Sequence, residues 1–354
     1  MKDPVIALDA SHGEGGGQVL RAALALAVAL GRTLSLTNIR VRRPKPGLQP
    51  QHLAAVRALA AISAAEVTGD RLDSTCLTFA PRAPAGGSYR FDVGAIRGSA
   101  GSVSLILQTV LLPLAFAGTP SRITLVGGTH VPWSPPVHYL SHVFLPALAP
   151  AGIHATVTLR RWGWYPAGGG EIEAAVEPAS DVQGLVLETP PAHPEVVGLS
   201  AVSRLPRSIA ERQRRRAEER LLAAGLSASI AVEEDQGALG PGTVLFLALR
   251  GRAGFSALGR RGLPAEQVAE VAVDELLAWM ASKAAVDEHL ADQLVPFLAL
   301  GRTGSTFTCP RVSAHLETVV WLVQHFVAAR ITLEDGRPAR VLIEPPSSVP
   351  FAPH

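Results

Sequence analysis

The stretch Leu8-Asp-Ala-Ser-His-Gly-Glu-Gly-Gly-Gly-Gln-Val-Leu-Arg21 decides how the rest of the chain is read. A short apolar run at 5–8 enters it as a strand, and after Gly17 the apolar positions keep helical spacing to about Leu30. A glycine-rich turn between strand and helix leaves unhindered backbone N–H groups at a helix start, which attracts phosphate; a tight turn required only for packing is the alternative. It is not a P-loop, because no Gly-Lys-Ser/Thr follows, nor a dinucleotide fingerprint, because Gln18 stands where the last glycine belongs. Glu14, a carboxylate among glycines, fits a metal ion or a ribose hydroxyl.

Downstream the same order of elements returns. A strand at 34–39, a helix at 50–64 and strands at 65–68 and 76–79 complete a first strand-helix-strand-helix-strand-strand unit. A second runs through a strand at 89–93, a loop at 94–101, a helix ending at Gly118, a strand at 122–126, a helix at 136–150 and strands at 153–159 and 170–176. The third has helices at 286–300 and 312–326 and strands at 306–309, 330–333 and 339–343. The expected fold class is therefore α/β: three repeated βαβαββ units forming one large pseudo-symmetric domain (1–184 and 283–354), with a small inserted α/β domain at 185–282. Within the insert, a helix at 208–224 carries Arg212, Arg214, Arg215, Arg216 and Arg220 beside Glu211, Glu218 and Glu219, the pattern of a solvated, ion-paired face.

With 354 residues and 47% apolar content, the chain can fill more than one core. Charged residues make up only 18%, which excludes a disordered or coiled-coil protein. The longest apolar stretches are interrupted by Arg21, Gln108 and Pro113, so no membrane span is expected. Residues 1–4 lead directly into the first strand without a basic–apolar–cleavage succession, and a cytoplasmic location is the expectation. Cys76 and Cys309 are too few for a disulfide framework or a paired metal site and read as buried apolar fillers. A net charge of +2 gives no global pull on nucleic acid, so any such binding must come from local clusters.

One such cluster is Arg40, Arg42, Arg43 and Lys45 in a proline-stiffened loop, with Gln51 and His52 opening the next helix; guanidinium groups match phosphate in a bidentate way. The 98–101 loop is another glycine-rich helix start. Gln108, alone in an apolar helix, either bonds the neighbouring backbone or meets a ligand. The Pro-rich loop at 127–136 is rigid enough to wall a nucleobase pocket, and His289-Leu-Ala-Asp-Gln293 places two polar residues in an apolar helix. His315 begins a helix that otherwise reads as buried; a lone histidine in such a place is more often structural.

Taken together, these residues resemble the RNA 3'-terminal phosphate cyclases over nearly the whole chain. The matching motifs are Gly13-Glu-Gly-Gly-Gly-Gln-Val-Leu-Arg21, Arg43-Pro-Lys-Pro-Gly-Leu48, Gln51-His52, Gly98-Ser-Ala-Gly101, Leu107-Gln-Thr-Val110, Tyr165-Pro-Ala-Gly-Gly-Gly170, Asp235-Gln-Gly237 and Leu290-Ala-Asp-Gln-Leu294. The resemblance implies an ATP-dependent ligase-type enzyme that adenylylates a histidine, passes AMP to an RNA 3'-phosphate and closes a 2',3'-cyclic phosphate. It implies His315 as nucleophile, since His325 lies too late in the helix. It assigns Glu14, Gln108, His289, Leu290, Ala291, Asp292 and Gln293 to ATP, and Arg21, Arg40, Arg43, Gln51 and His52 to the RNA end. ATP as co-substrate, a divalent cation (Mg2+ or Mn2+) with Glu14 as its protein ligand, and RNA bearing a 3'-phosphate follow as expected partners. Two departures stand out: His289 replaces the tyrosine of many relatives, exchanging aromatic for imidazole stacking, and Thr129-His-Val-Pro-Trp133 lacks the usual polar pattern. A non-catalytic binding protein and a transferase acting on a small phosphorylated metabolite are the competing readings; the oligomeric state is not set by these features.

Overall fold

The computed structural model describes residues 5–96, 98 and 100–346; Ser99 of the second glycine-rich loop and residues 347–354 of the third unit lie outside them. The chain opens with β1 (Ile6–Asp9), α1 (Gly17–Ala29), β2 (Leu34–Thr37), α2 (Pro50–Ser63), β3 (Glu66–Thr68) and β4 (Leu77–Ala80). β1 pairs parallel with β2, and β4 is antiparallel to both β2 and β3, giving the order β1-β2-β4-β3. Then come β5 (Ser88–Asp92), α3 (Val103–Ala115), β6 (Ser121–Gly127), an irregular helical run, β7 (Ala155–Arg161) and β8 (Gly170–Val176). Their sheet, β5-β6-β8-β7, has the same polarity.

The irregular run consists of α4 (Val137–Tyr139), a π-helical stretch (Leu140–Phe144), α5 (Leu145–Leu148) and a 3-10 turn (Ala149–Ala151). Its irregularity has a visible cause. Pro146 has no N–H to give the carbonyl of His142 four residues back, and that carbonyl instead accepts the Gly251 N–H from the inserted segment at 2.9 Å.

After β9 (Val186–Leu187) the inserted segment folds as β10 (Val196–Ser203), α6 (Arg207–Ala223), β11 (Ala228–Asp235), β12 (Gly242–Leu249), β13 (Ala253–Leu258) and α7 (Ala265–Ser282), with sheet order β11-β10-β12-β13. α8 (Glu288–Leu298), β14 (Ser305–Cys309), α9 (Ala314–Gln324), β15 (Arg330–Glu334) and β16 (Ala339–Glu344) complete the described chain. Their sheet is β15-β16-β14-β9, with β9 parallel to β14 and β16 antiparallel to its neighbours. The sequence reading begins the insert at Leu185; Val186 and Leu187 pair with Thr306 and Phe307 of β14. A strand of two residues leaves no period-two signal to read.

The sheets turn one face inward, as the alternating burial along β1 and β6 shows. Past Arg21, α1 is apolar on every side and lies inside, packed against α2, α3 and α9, with Leu20, Ala23, Leu24, Leu26, Ala27 and Val28 fully enclosed. One contiguous core joins the three sheets and their helices. The insert has its own core around Leu245, Leu247, Val268, Leu276 and Trp279. The arginines of α6 do form an ion-paired face: Arg212, Arg216 and Arg220 reach Glu266, Glu270 and Asp274 of α7 at 2.6–2.7 Å, one helical turn apart. Cys309 is buried as expected, whereas Cys76, at the end of a surface turn, is exposed. Among the described residues no helix is long and apolar enough to cross a membrane.

Candidate active site

The glycine-rich turn stands between β1 and α1 and is docked onto α9. Asp9 closes the strand end by accepting the Ser11 N–H at 2.8 Å. His12 stacks on Trp321 of α9 with ring centroids 3.8 Å apart, and Gly13, at φ +59, lies so close to Thr318 that a Cβ would overlap its hydroxyl. The left-handed backbone and the close approach both require glycine there. Ser313 caps α9 through its side chain, and His315 is thereby presented from the first turn of α9 toward the docked turn.

His315 is held from two sides. Its Nδ1 lies 2.6 Å from Gln18 Oε1, and Gln18 Nε2 donates to Asp292 Oδ2 at 3.0 Å. Because the amide nitrogen is spent on Asp292, its oxygen is the acceptor for His315 Nδ1–H, and Nε2 carries the lone pair. Nε2 faces Glu14 Oε2 at 3.2 Å. Burial lowers the imidazole below its ordinary pKa of 6.5, against the opposing pull of Glu14, so the ring is neutral at neutral pH. A neutral nitrogen and a carboxylate oxygen then face each other with no proton between them, an arrangement relieved by a cation or an electrophile entering the gap. Asp292, almost wholly buried, is pushed up to about 8, chiefly by burial and against the Gln18 hydrogen bond.

Cationic and neutral donors gather over the start of α1. A Cβ at Gly17 would overlap His52 Nε2 and come within 2.7 Å of an Arg21 nitrogen; one at Gly16 would lie 3.0 Å from Arg43 Nη2. Arg43 also donates to the Glu14 carbonyl at 3.0 Å and pairs with its carboxylate at 3.5 Å. Arg40 is anchored on the Lys45 and Gly47 carbonyls at 2.8 and 3.2 Å. Burial holds Arg21 at about 10, which leaves it charged at neutral pH. His52 accepts the Gln49 N–H on Nδ1 at 3.2 Å within a capping box. It is driven down to about 3 by burial, then by Arg21 and Arg40, so it is neutral and offers Nε2–H as a donor. Gln51 Oε1 accepts the Ser102 N–H at 3.1 Å and ties this cluster to the second glycine-rich loop.

The sequence-expected residues thus divide in three. His315, Glu14, Asp292, Arg21, Arg43 and His52 stand around one helix start, with Arg40 and Gln51 beside them. Gln108 Nε2 and Gln293 Oε1 are buried with no partner among the described residues, the state expected of groups reserved for a ligand. Leu290 and Ala291 are fully enclosed and hold α8 against the core, while His289 is exposed next to Asp287. Gln18 was missed: its place in the first turn of α1, directly after the glycines, was the available signal. For a divalent ion the donor set is thin, and among the described residues no cluster of three or more His, Cys, Asp or Glu is poised to bind a metal. A single carboxylate fits an ion carried chiefly by phosphate oxygens.

The family described as RNA 3'-terminal phosphate cyclase matches residues 12–333. Among curated proteins, the RNA 3'-terminal phosphate cyclase of Gloeothece citriformis is 45% identical over 332 residues, covering 92% of this chain and 95% of that protein. The protein of that name from Methylococcus capsulatus is 46% identical and covers 92% of both chains. The one from Archaeoglobus fulgidus is 42% identical, covering 94% of this chain and 99% of that one.

Proposed function

The chain belongs to the RNA 3'-terminal phosphate cyclase family, and from that premise we propose that it spends ATP to close an RNA 3'-phosphate onto the adjacent 2'-hydroxyl. His315 Nε2 attacks the α-phosphorus of ATP; a P–N bond forms, the bridging P–O bond breaks, and pyrophosphate leaves. An oxygen of the RNA 3'-phosphate then takes the adenylyl group from the imidazole. The 2'-hydroxyl attacks the activated 3'-phosphorus, loses its proton and expels AMP. AMP is a better leaving group than a bare phosphate oxygen, and the covalent stage divides a hard displacement into easier ones.

The observation that carries this reading is the orientation of His315: Nδ1–H committed to Gln18 and the Nε2 lone pair directed at Glu14, beside Arg21, Arg43 and His52. The two arginines offset the repulsion between the adenylyl and RNA phosphates, with His52 as a neutral third donor. Glu14 would hold a divalent ion, Mg2+ or Mn2+, which supplies charge neutralisation of the ATP phosphates. The unpartnered ends of Gln108 and Gln293, with Asp292 and the exposed imidazole of His289, form the nucleotide side of the site. The three like-ordered sheets are one βαβαββ module used three times, interrupted by the insert after β9, and the site belongs in the cytoplasm, where ATP is supplied. Incubation with ATP and RNA ending in either a 3'-phosphate or a 3'-hydroxyl tests the reading: only the first becomes cyclic. Release of AMP irrespective of the RNA end would remove RNA as the substrate.

A further inference from the structure

Two motifs of the sequence have no part in the chemistry above: Tyr165–Gly170 and Asp235–Gly237. The structure lays one upon the other. A Cβ at Gly169 would overlap Leu239 Cδ1, and one at Gly240 would lie 3.3 Å from Ala167. Asp235 fixes the second loop by accepting the Gly237 and Ala238 N–H groups at 3.1 and 3.0 Å. A third loop adjoins them, since His130 bridges to Trp164. From these loops emerge three large, mostly exposed apolar side chains: Trp133 is 97% exposed, Tyr165 64% and Leu239, which packs on Gly169, 63%. Trp133 also sits at φ +59, a conformation costly for a bulky residue, held between Pro132 and Pro135-Pro136. Arg161, bonded to the Gly169 carbonyl, and Arg204, reaching the Ala238 carbonyl at 3.5 Å, flank the seam and are exposed.

Buried contacts tie these loops to the phosphate cluster. Gln51 binds Ser102, Ser102 bridges to Gly128, and Gly128 lies against the Ala100 carbonyl and Val131. Between the second glycine-rich loop and the 165–170 loop lies a cavity of about 250 Å³, lined by Asp92, Gly94, Ala95, Gly98, Ala167 and Gly169. It is open to solvent and smaller than the ~300–1,000 Å³ that encloses a drug-sized ligand, so it has room for one nucleoside at most. Asp92 in its wall accepts the Gly94 and Ala95 N–H groups on Oδ1 at 2.8 and 3.2 Å; its charge repels phosphate, and Oδ2 is the oxygen left to accept from a sugar hydroxyl.

We propose that this seam is the track for RNA residues upstream of the 3' end, with Trp133 and Tyr165 stacking bases, Arg161 and Arg204 following the backbone, and the cavity taking one nucleoside. Exposed aromatic rings interleaved with arginines, connected to an end-phosphate site, are the features of a sequence-tolerant single-strand platform. The α6–α7 face carries no such pattern, because its arginines are spent on Glu266, Glu270 and Asp274.

The track rests on the cyclase reading, and the test separates the two. kcat/KM is compared for a dinucleotide and a decanucleotide, both with 3'-phosphates, in the wild type, in the Trp133→Ala/Tyr165→Ala double variant and in Trp133→Phe/Tyr165→Phe. The wild type should prefer the decanucleotide at least about tenfold through a lower KM; the alanine variant should lose that preference and the phenylalanine variant keep it. A wild type indifferent to length, or an alanine variant with the full preference, overturns the track. Should neither oligonucleotide be cyclised, the cyclase reading fails by itself, and the track is judged by direct binding. Fluorescence anisotropy with a labelled decanucleotide must then show a Kd about tenfold weaker in the alanine variant; equal Kd values overturn it.

Discussion

Gln18 uses both ends of one amide, accepting from His315 Nδ1 and donating to Asp292 Oδ2, so the direction of the Nε2 lone pair depends on it. In the proposed chemistry it is a positioning residue. Gln18→Leu keeps the volume and removes both bonds; self-adenylylation should slow by about 100-fold, the cost of a misaimed reacting group, while the circular dichroism spectrum stays that of the wild type. Unaltered labelling would mean that the imidazole is aimed by something else. Asp292 gives a pH prediction. Its carboxyl is pushed from 3.8 up to about 8 in the folded chain, chiefly by burial, so between those values the folded protein keeps a proton that the unfolded chain has released. The resulting stability is complete below pH 4 and is lost as pH rises through 8. Asp292→Asn has nothing to lose over that range, so its Tm relative to wild type should climb from pH 5 to pH 8 and level off above that in calorimetry. A constant difference would show that Asp292 ionises as easily folded as unfolded.

Among the elements, α8 depends on a single buried carboxylate. Asp287 caps the helix through the His289 and Leu290 N–H groups at 2.8 Å, takes the Tyr139 hydroxyl of α4 at 3.1 Å, and accepts the Gly254 N–H of β13 at 3.0 Å. One side chain thus joins the second unit, the insert and the helix that carries Asp292. Burial raises its pKa, and the four donors hold it in place. Asp287→Ala should cost about 3 kcal/mol in urea unfolding, because those donors lose their acceptor; a loss under ~1 kcal/mol would mean that water replaces it. This junction was not legible in the sequence, where Asp287 preceded a motif and nothing more. The helices and longer strands were legible, since 3.6- and 2-residue periods persist over their lengths. β13 was not, because Ala253-Gly-Phe-Ser-Ala-Leu258 is poor in β-branched residues and takes its place by pairing with β12.

Over the whole molecule, three sheets of one strand order enclose helices, and the glycine turn of the first sheet meets the histidine helix of the third. That meeting spans almost the full length of the chain. His315 and Glu14 could be named from motifs, but their proximity, the 3.2 Å between Nε2 and the carboxylate, is a product of tertiary packing that spacing along the chain does not encode. Charge follows the same division. A net +2 says little, yet Arg21, Arg40 and Arg43 converge on one helix start while the arginines of the insert neutralise one another. The proposed chemistry rests on one nitrogen, His315 Nε2, and covalent labelling tests it most directly. Wild-type protein incubated with α-labelled ATP and Mg2+ should retain one acid-labile, alkali-stable label per chain, mapping to the peptide that contains His315, and His315→Ala should retain none. Equal labelling of the variant, or a label found on any other residue, would contradict it.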